Sequence, residues 1–205
     1  MKWLWISGWG YPAGCLLAAA KKRFPQAEHH VLAPTSDARA EAGLFDWVGG
    51  HSLGAFLLLR YPERFPARRG LVLLAPFLAF PAEAACGGRI KLAQLKLTAR
   101  LLKKDPLAAL NDFYLRADLD LKLAVSPPYA IQSLAWGLEL LARETVSAGK
   151  LSTFVRSVVL GLRDPLLDAA RIARDFPEAT LLPGVGHRFE DLLAGVDPSL
   201  FASHA

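Results

Sequence analysis

The chain has 205 residues, 53% of them hydrophobic and 21% charged, with a formal net charge of +5; this profile fits one compact soluble domain and excludes disordered and fibrous chains. Its two cysteines, Cys15 and Cys86, lie too far apart in sequence to imply a disulfide framework or a zinc-ligand pair, and no apolar run is long enough to span a bilayer. The N-terminus passes from Lys2 straight into Trp3-Leu4-Trp5-Ile6, which is strand chemistry without a signal-peptide core, so the expected compartment is the cytoplasm.

Residues 2–7 read as a buried strand. A loop follows, Gly8-Trp9-Gly10-Tyr11-Pro12-Ala13-Gly14, and then a short helix over 14–23 whose closing Lys21-Lys22-Arg23 suits the negative end of the helix dipole. His29-His30-Val31-Leu32-Ala33 is a second strand, closed by Pro34, and residues 44–49 a third. Next comes a glycine-rich turn, then a helix from Ser52 to about Arg60, which Tyr61-Pro62 ends. Leu71-Val72-Leu73-Leu74-Ala75 is a continuous apolar run, as in a central parallel strand covered on both faces. From Pro76 to Gly149 the pattern turns leucine- and alanine-rich and helical in period, which reads as a helical insert laid over the sheet. Strand character returns at 153–162, followed by the turn Arg163-Asp164-Pro165, a helix at 166–175 and a strand at 179–182. The loop Pro183-Gly184-Val185-Gly186-His187 then leads to a last helix. Alternating strands and helices imply right-handed crossovers and a mostly parallel sheet, with a core of 1–75 and 150–205 and an insert of 76–149.

Gly50-His51-Ser52-Leu53-Gly54 fits G-x-S-x-G between a strand and a helix. A sharp turn there pushes the Ser52 hydroxyl out over the sheet edge and aims the Leu53 N–H at a developing oxyanion. A serine hydroxyl is a poor nucleophile until a base takes its proton, and the base needs an orienting carboxylate. His187 follows a late strand, at the carboxyl edge where Ser52 also emerges, and Asp164 sits in the loop after the preceding strand. The other reading of Asp164 is a helix cap, with Asp168 carrying the chemistry. The remaining oxyanion donor is expected from the loop after the first strand, at the Trp9 N–H. His51 is expected to pack, and His29, His30 and His204 to be surface or strand-end residues. Cys15 and Cys86 read as buried small hydrophobes. Phe77, Phe113, Tyr114 and Trp136 are candidates to wall an acyl channel, although at helical spacing such residues also serve as plain core.

With these motifs the chain resembles the α/β-hydrolases over almost its whole length. Ser7-Gly8-Trp9-Gly10 stands where that family usually has His-Gly-x-x, with Ser7 in place of the histidine; Gly161-Leu162-Arg163-Asp164 and Gly186-His187 match its acid and base motifs. The resemblance implies a catalytic Ser52, Asp164 and His187, and about six strands, because the family's leading hairpin is missing. The Gly-Trp-Gly loop, the Gly-His-Ser-Leu-Gly elbow and a lid containing Trp136-Gly137-Leu138-Glu139-Leu140-Leu141 together look like the esterases that demethylate pimeloyl-acyl-carrier-protein methyl ester in biotin synthesis. Other readings stay open: a thioesterase or general short-chain carboxylesterase with the same triad, a menaquinone-branch lyase, or a non-enzymatic interaction protein. No metal or organic cofactor is needed, and a monomer is expected.

Cys86 to Lys104 holds six basic residues and no acidic one. On one continuous helix, Arg89, Lys96, Arg100 and Lys103 would fall within about 60° of one another. Such a ridge would suit an acidic macromolecule such as an acyl carrier protein, while the plainer reading is a solvated helix face. Nucleic acid is not expected, since no aromatics interleave with the stripe, and neither is stable membrane association.

Overall fold

The computed structural model describes residues 1–147 and 154–201. Thr153, His204 and the expected boundary at 149/150 therefore lie outside the described residues. Strands β1 (Lys2–Ile6), β2 (Glu28–Leu32), β3 (Trp47–His51), β4 (Gly70–Leu74), β5 (Val155–Gly161) and β6 (Thr180–Leu182) form one sheet in the order β2-β1-β3-β4-β5-β6. Every neighbouring pair is parallel. The order reverses direction between β1 and β3, and the loops leaving these two strands flank the crevice that such a reversal opens at the carboxyl edge.

Side-chain alternation sorts the helices between the faces. Trp5 and Gly49 are paired across β1 and β3, and a Cβ on Gly49 would lie 2.2 Å from the Trp5 ring. The same ring meets Phe189 of α7 (Phe189–Ala194) edge-on at 5.4 Å. Gly50, one residue on, points the other way, with its Cβ position 2.6 Å from the Ala55 nitrogen in α2 (Leu53–Arg60). The sheet is thus sandwiched between α7 on one side, packed with α1 (Ala13–Arg23), and α2 on the other. Trp3 stacks on Trp5 at 4.7 Å and on Phe24 and Trp47 at 5.6 Å, an aromatic layer that closes the lower core.

Within 76–147 the long elements are α3 (Leu92–Lys104), α4 (Pro106–Arg116) and α5 (Ile131–Arg143), and among the described residues no strand interrupts them. Asp105 separates α3 from α4 and caps the latter by accepting the Ala108 N–H at 2.9 Å. Two expectations change. The helix expected at 166–175 shrinks to α6 (Ala169–Ile172), because Asp164 Oδ1 takes the N–H groups of Leu166 and Leu167 at 2.8 and 3.1 Å and holds them in a turn. Asp168 then caps the late start by accepting the Arg171 N–H at 3.0 Å. Nor are the cysteines and His29 as expected: Cys15 is exposed and Cys86 half-buried, whereas His29 turns inward, accepts the Trp5 indole N–H on Nδ1 at 3.2 Å and bonds the Phe24 carbonyl.

Candidate active site

Ser52 stands between β3 and α2 with φ 53° and ψ −115°, a conformation costing roughly 1–3 kcal/mol for a residue with a side chain. The glycines around it make that turn possible. A Cβ on Gly54 would lie 2.1 Å from the Ile6 carbonyl oxygen, and one on Gly50 would collide with the backbone of α2. The Ser52 N–H donates to Leu74 O at 2.9 Å, which ties the elbow to the end of β4. Leu53 is the first residue of α2, so its N–H has no carbonyl four residues back to bond within the helix.

On the loop after β6, His187 Nδ1 lies 2.6 Å from Asp164 Oδ2, with both side chains at most 2% exposed. The other carboxylate oxygen carries the two bonds from Leu166 and Leu167, so Asp164 is fully engaged and fixes the imidazole tautomer. His187 Nε2 then bears the lone pair; it is buried and has no hydrogen-bond partner among the described residues, the Ser52 hydroxyl included. Asp168 is occupied at its helix cap, whereas Asp164 both caps its own turn and meets His187.

His51 does more than pack. Its Nε2–H donates to the His187 carbonyl at 2.9 Å, joining the base loop to the elbow. Burial, reinforced by neighbouring His187, pushes its pKa down to about 3, so the ring is neutral. Nothing in the sequence around His51 signals that bond, because the acceptor is a backbone carbonyl in a distant loop.

After β1 the chain runs through Gly8-Trp9-Gly10. Gly8 O accepts the Tyr11 N–H at 3.2 Å and the Ser7 hydroxyl at 3.4 Å. N–H and C=O point in opposite directions across a trans peptide, so this aims the Trp9 N–H away from Tyr11. The Gly8 Cβ position is 3.4 Å from Ser52 Cβ, which sets this loop against the elbow.

Neither a protein-family model nor a curated protein matches the sequence. Solved structures do. An esterase from Exiguobacterium antarcticum aligns with a TM-score of 0.70 over 98% of this chain and 92% of its own, at 13% identity. A hydrolase from Pseudomonas aeruginosa aligns at 0.59 over 98% and 90%, at 16% identity, and MenH from S. aureus at 0.54 over 93% and 88%, at 14% identity. The chain has the α/β-hydrolase fold. At these identities the likeness is one of fold, and the chemistry rests on the residues.

Helices α3, α4 and α5 pack as a lid over the Trp9 loop and the start of α2. Trp9 is 2% exposed; its indole N–H donates to Leu134 O at 2.8 Å, and Phe113 meets its ring edge-on at 4.9 Å. A narrow apolar cavity of about 20 Å³ lies beside it, lined by Trp9, Phe80, Leu95, Phe113, Leu138 and Leu166, with Arg116 also on its wall. That is room for about one water. Of the other expected channel residues, Tyr114 is fully buried against Gly10, and Phe77 stacks on Phe56 in the core. Trp136 is half-buried and packs partly against the core. Gly137 is the residue that α5 presses toward the site, its Cβ position 2.8 Å from Trp9 Cδ1 and 3.1 Å from Leu53 Cδ2, and Trp136, about 100° around the helix, lines an outer groove between α3 and α5.

Lys96 and Lys103 line that same groove, and Arg100 is exposed on α3. Arg89 does not join them. Glu83 accepts the Leu92 N–H and starts the helix there, while residues 87–89 pair with the acid loop. The Arg89 N–H donates to Leu166 O at 2.9 Å and its guanidinium to Asp164 O at 3.0 Å.

Proposed function

We propose that the protein is a serine carboxylesterase acting on the methyl ester of a pimeloyl group carried by an acyl carrier protein. The observation that carries the esterase reading is the buried Asp164–His187 pair, whose unpartnered Nε2 shares the sheet edge with a strained Ser52. Nε2 removes the Ser52 proton as the hydroxyl attacks the ester carbonyl; the contact between them is commonly long without substrate and tightens when substrate binds. The Leu53 and Trp9 N–H groups bond the oxyanion of the tetrahedral intermediate. His187 gives the proton to the departing methoxide oxygen, which leaves as methanol, and water hydrolyses the acyl-enzyme with His187 again as base. Asp164 holds the tautomer through its bond to Nδ1.

The carrier-bound substrate is supported by the lid. Lys96 and Lys103 flank an outer groove floored by Leu95, Ala99, Ala135 and Leu138, and the Glu139 carboxylate on its α5 side is paired with Arg143; the lysines and the apolar floor suit an acidic protein with an apolar contact strip. Leu95 and Leu138 also line the inner cavity beside Trp9, so a small separation of α3 and α5 would join the outer groove to the cavity beside the Trp9 loop. Phe113 walls that path, Arg100 extends the positive face, and such a partner would place the reaction in the cytoplasm. The test is hydrolysis of pimeloyl-acyl-carrier-protein methyl ester by wild type and Ser52→Ala, with a short p-nitrophenyl ester in parallel. Demethylation that the mutation abolishes is the expected result. Serine-dependent turnover of the small ester alone would discard the carrier-bound substrate and keep the mechanism.

A further inference from the structure

The loop bearing Trp9 is held mainly by the lid. Gly10, at φ +67°, has both backbone groups bonded to lid tyrosines: its N–H donates to the Tyr129 hydroxyl at 2.7 Å, and its carbonyl accepts the Tyr114 hydroxyl. A Cβ at Gly10 would lie 2.5 Å from Leu110 Cδ2 of α4, so the lid is also moulded onto the glycine itself. The Trp9 indole is a further anchor, through Leu134 O in α5. Successive peptide planes are therefore pinned one after another. The 8–9 plane, which carries the Trp9 N–H, is set by Gly8 O and the Tyr11 N–H; the 9–10 and 10–11 planes are set by Tyr129 and Tyr114. Burial pushes both phenols above their ordinary pKa, so they stay protonated across any working pH.

We infer that Tyr114 and Tyr129 are positioning residues of the oxyanion hole: they hold Gly10 from the lid side and so fix the direction of the Trp9 N–H. The lid is then part of the catalytic apparatus, and the hole is complete only while α4, α5 and the segment carrying Tyr129 are seated on the loop. This inference rests on the esterase reading above. Losing one oxyanion donor outright costs about 10²–10³ in kcat. Loosening its support costs less, and about tenfold is expected for each Tyr→Phe change.

The experiment compares wild type, Tyr114→Phe, Tyr129→Phe and the double variant on a short p-nitrophenyl ester, and measures two inhibition constants. One inhibitor is an alkyl trifluoromethyl ketone, whose serine adduct places an oxyanion in the hole; the other is the matching alkyl amide, which binds without forming one. The expected result is a fall in kcat at nearly constant KM, a matching loss of affinity for the ketone, and unchanged affinity for the amide. An irreversibly inactive fraction changes neither inhibition constant, and far-ultraviolet circular dichroism and urea unfolding of each variant check that the folded form prevails under assay conditions. Ketone and amide affinities that fall together, or neither falling, would overturn the inference. A wild type that hydrolyses no ester and forms no ketone adduct would overturn the esterase reading itself, a result distinct from either.

Discussion

The two sides of the candidate site are built differently. On one side, the elbow, acid and base are set by the sheet: Ser52 by the end of β3 and the Leu74 carbonyl, Asp164 by the N–H groups of its own turn, His187 by Asp164 and the His51 ring. On the other, the Trp9 loop takes its shape from Tyr114, Tyr129, Leu110 and Leu134. On the proposed reading, the nucleophile and its base are held by the sheet and its loops, whereas the oxyanion side is held by the seating of the lid. Changes on the sheet side should therefore abolish activity or unfold the protein, and changes on the lid side should grade it.

The largest effect is expected at Ser52 and His187. Ser52→Ala and His187→Ala should each lower kcat by about 10⁴-fold or more, and the double variant should lose little beyond either single change, because the two act as one unit. Steady-state kinetics on a p-nitrophenyl ester read this directly, and additive losses would break the account. Gly54→Ala comes next, on stability. Its Cβ would meet the Ile6 carbonyl oxygen at 2.1 Å, backbone that has nowhere to move, so urea unfolding should show a loss of about 3 kcal/mol.

His51 sharpens the comparison through pH. Its folded pKa, about 3, lies below the ordinary histidine value, so the unfolded chain binds the extra proton first as pH falls. The stability from burying it neutral is present above pH 6.5 and is lost on acidification from there toward pH 3. Between pH 6.5 and 5 this one group accounts for about 1.6 kcal/mol. His51→Gln, which keeps a donor for the His187 carbonyl, should flatten the pH dependence of urea stability by about that amount; an unchanged slope would contradict the buried neutral ring.

The smallest effects belong to the outer face of the lid. Lys96→Glu with Lys103→Glu should raise KM for the carrier-bound ester about tenfold and leave the small ester untouched, the dependence expected of surface charges that steer an acidic partner. Equal effects on both substrates would remove the docking role from this groove.

The sheet was legible because its signals are local. Apolar runs such as Leu71–Ala75 and the glycines flanking Ser52 announce strands and a tight turn without reference to anything distant. The pairing of Asp164 with His187 was legible by position, since chain order and loop placement single out these two residues. What could not be read was decided by side chains bonding to backbone far away. The Asp164 carboxylate shortens the helix expected at 166–175, and Glu83 sets the start of α3, which leaves Arg89 off the helix and on the Asp164 carbonyl. Trp136 has the composition of a channel wall, and only the packing of Gly137 on Trp9 shows which side of α5 faces inward. Tyr129 lies in an aperiodic connection between α4 and α5, where a sequence offers no pattern to flag it.

The most direct test of the serine-hydrolase reading is intact-protein mass measurement after brief exposure to a fluorophosphonate. One adduct per chain is expected, mapped to Ser52, absent in Ser52→Ala and formed far more slowly in His187→Ala. A folded wild-type protein that takes up no adduct, or takes it up elsewhere, would contradict the account.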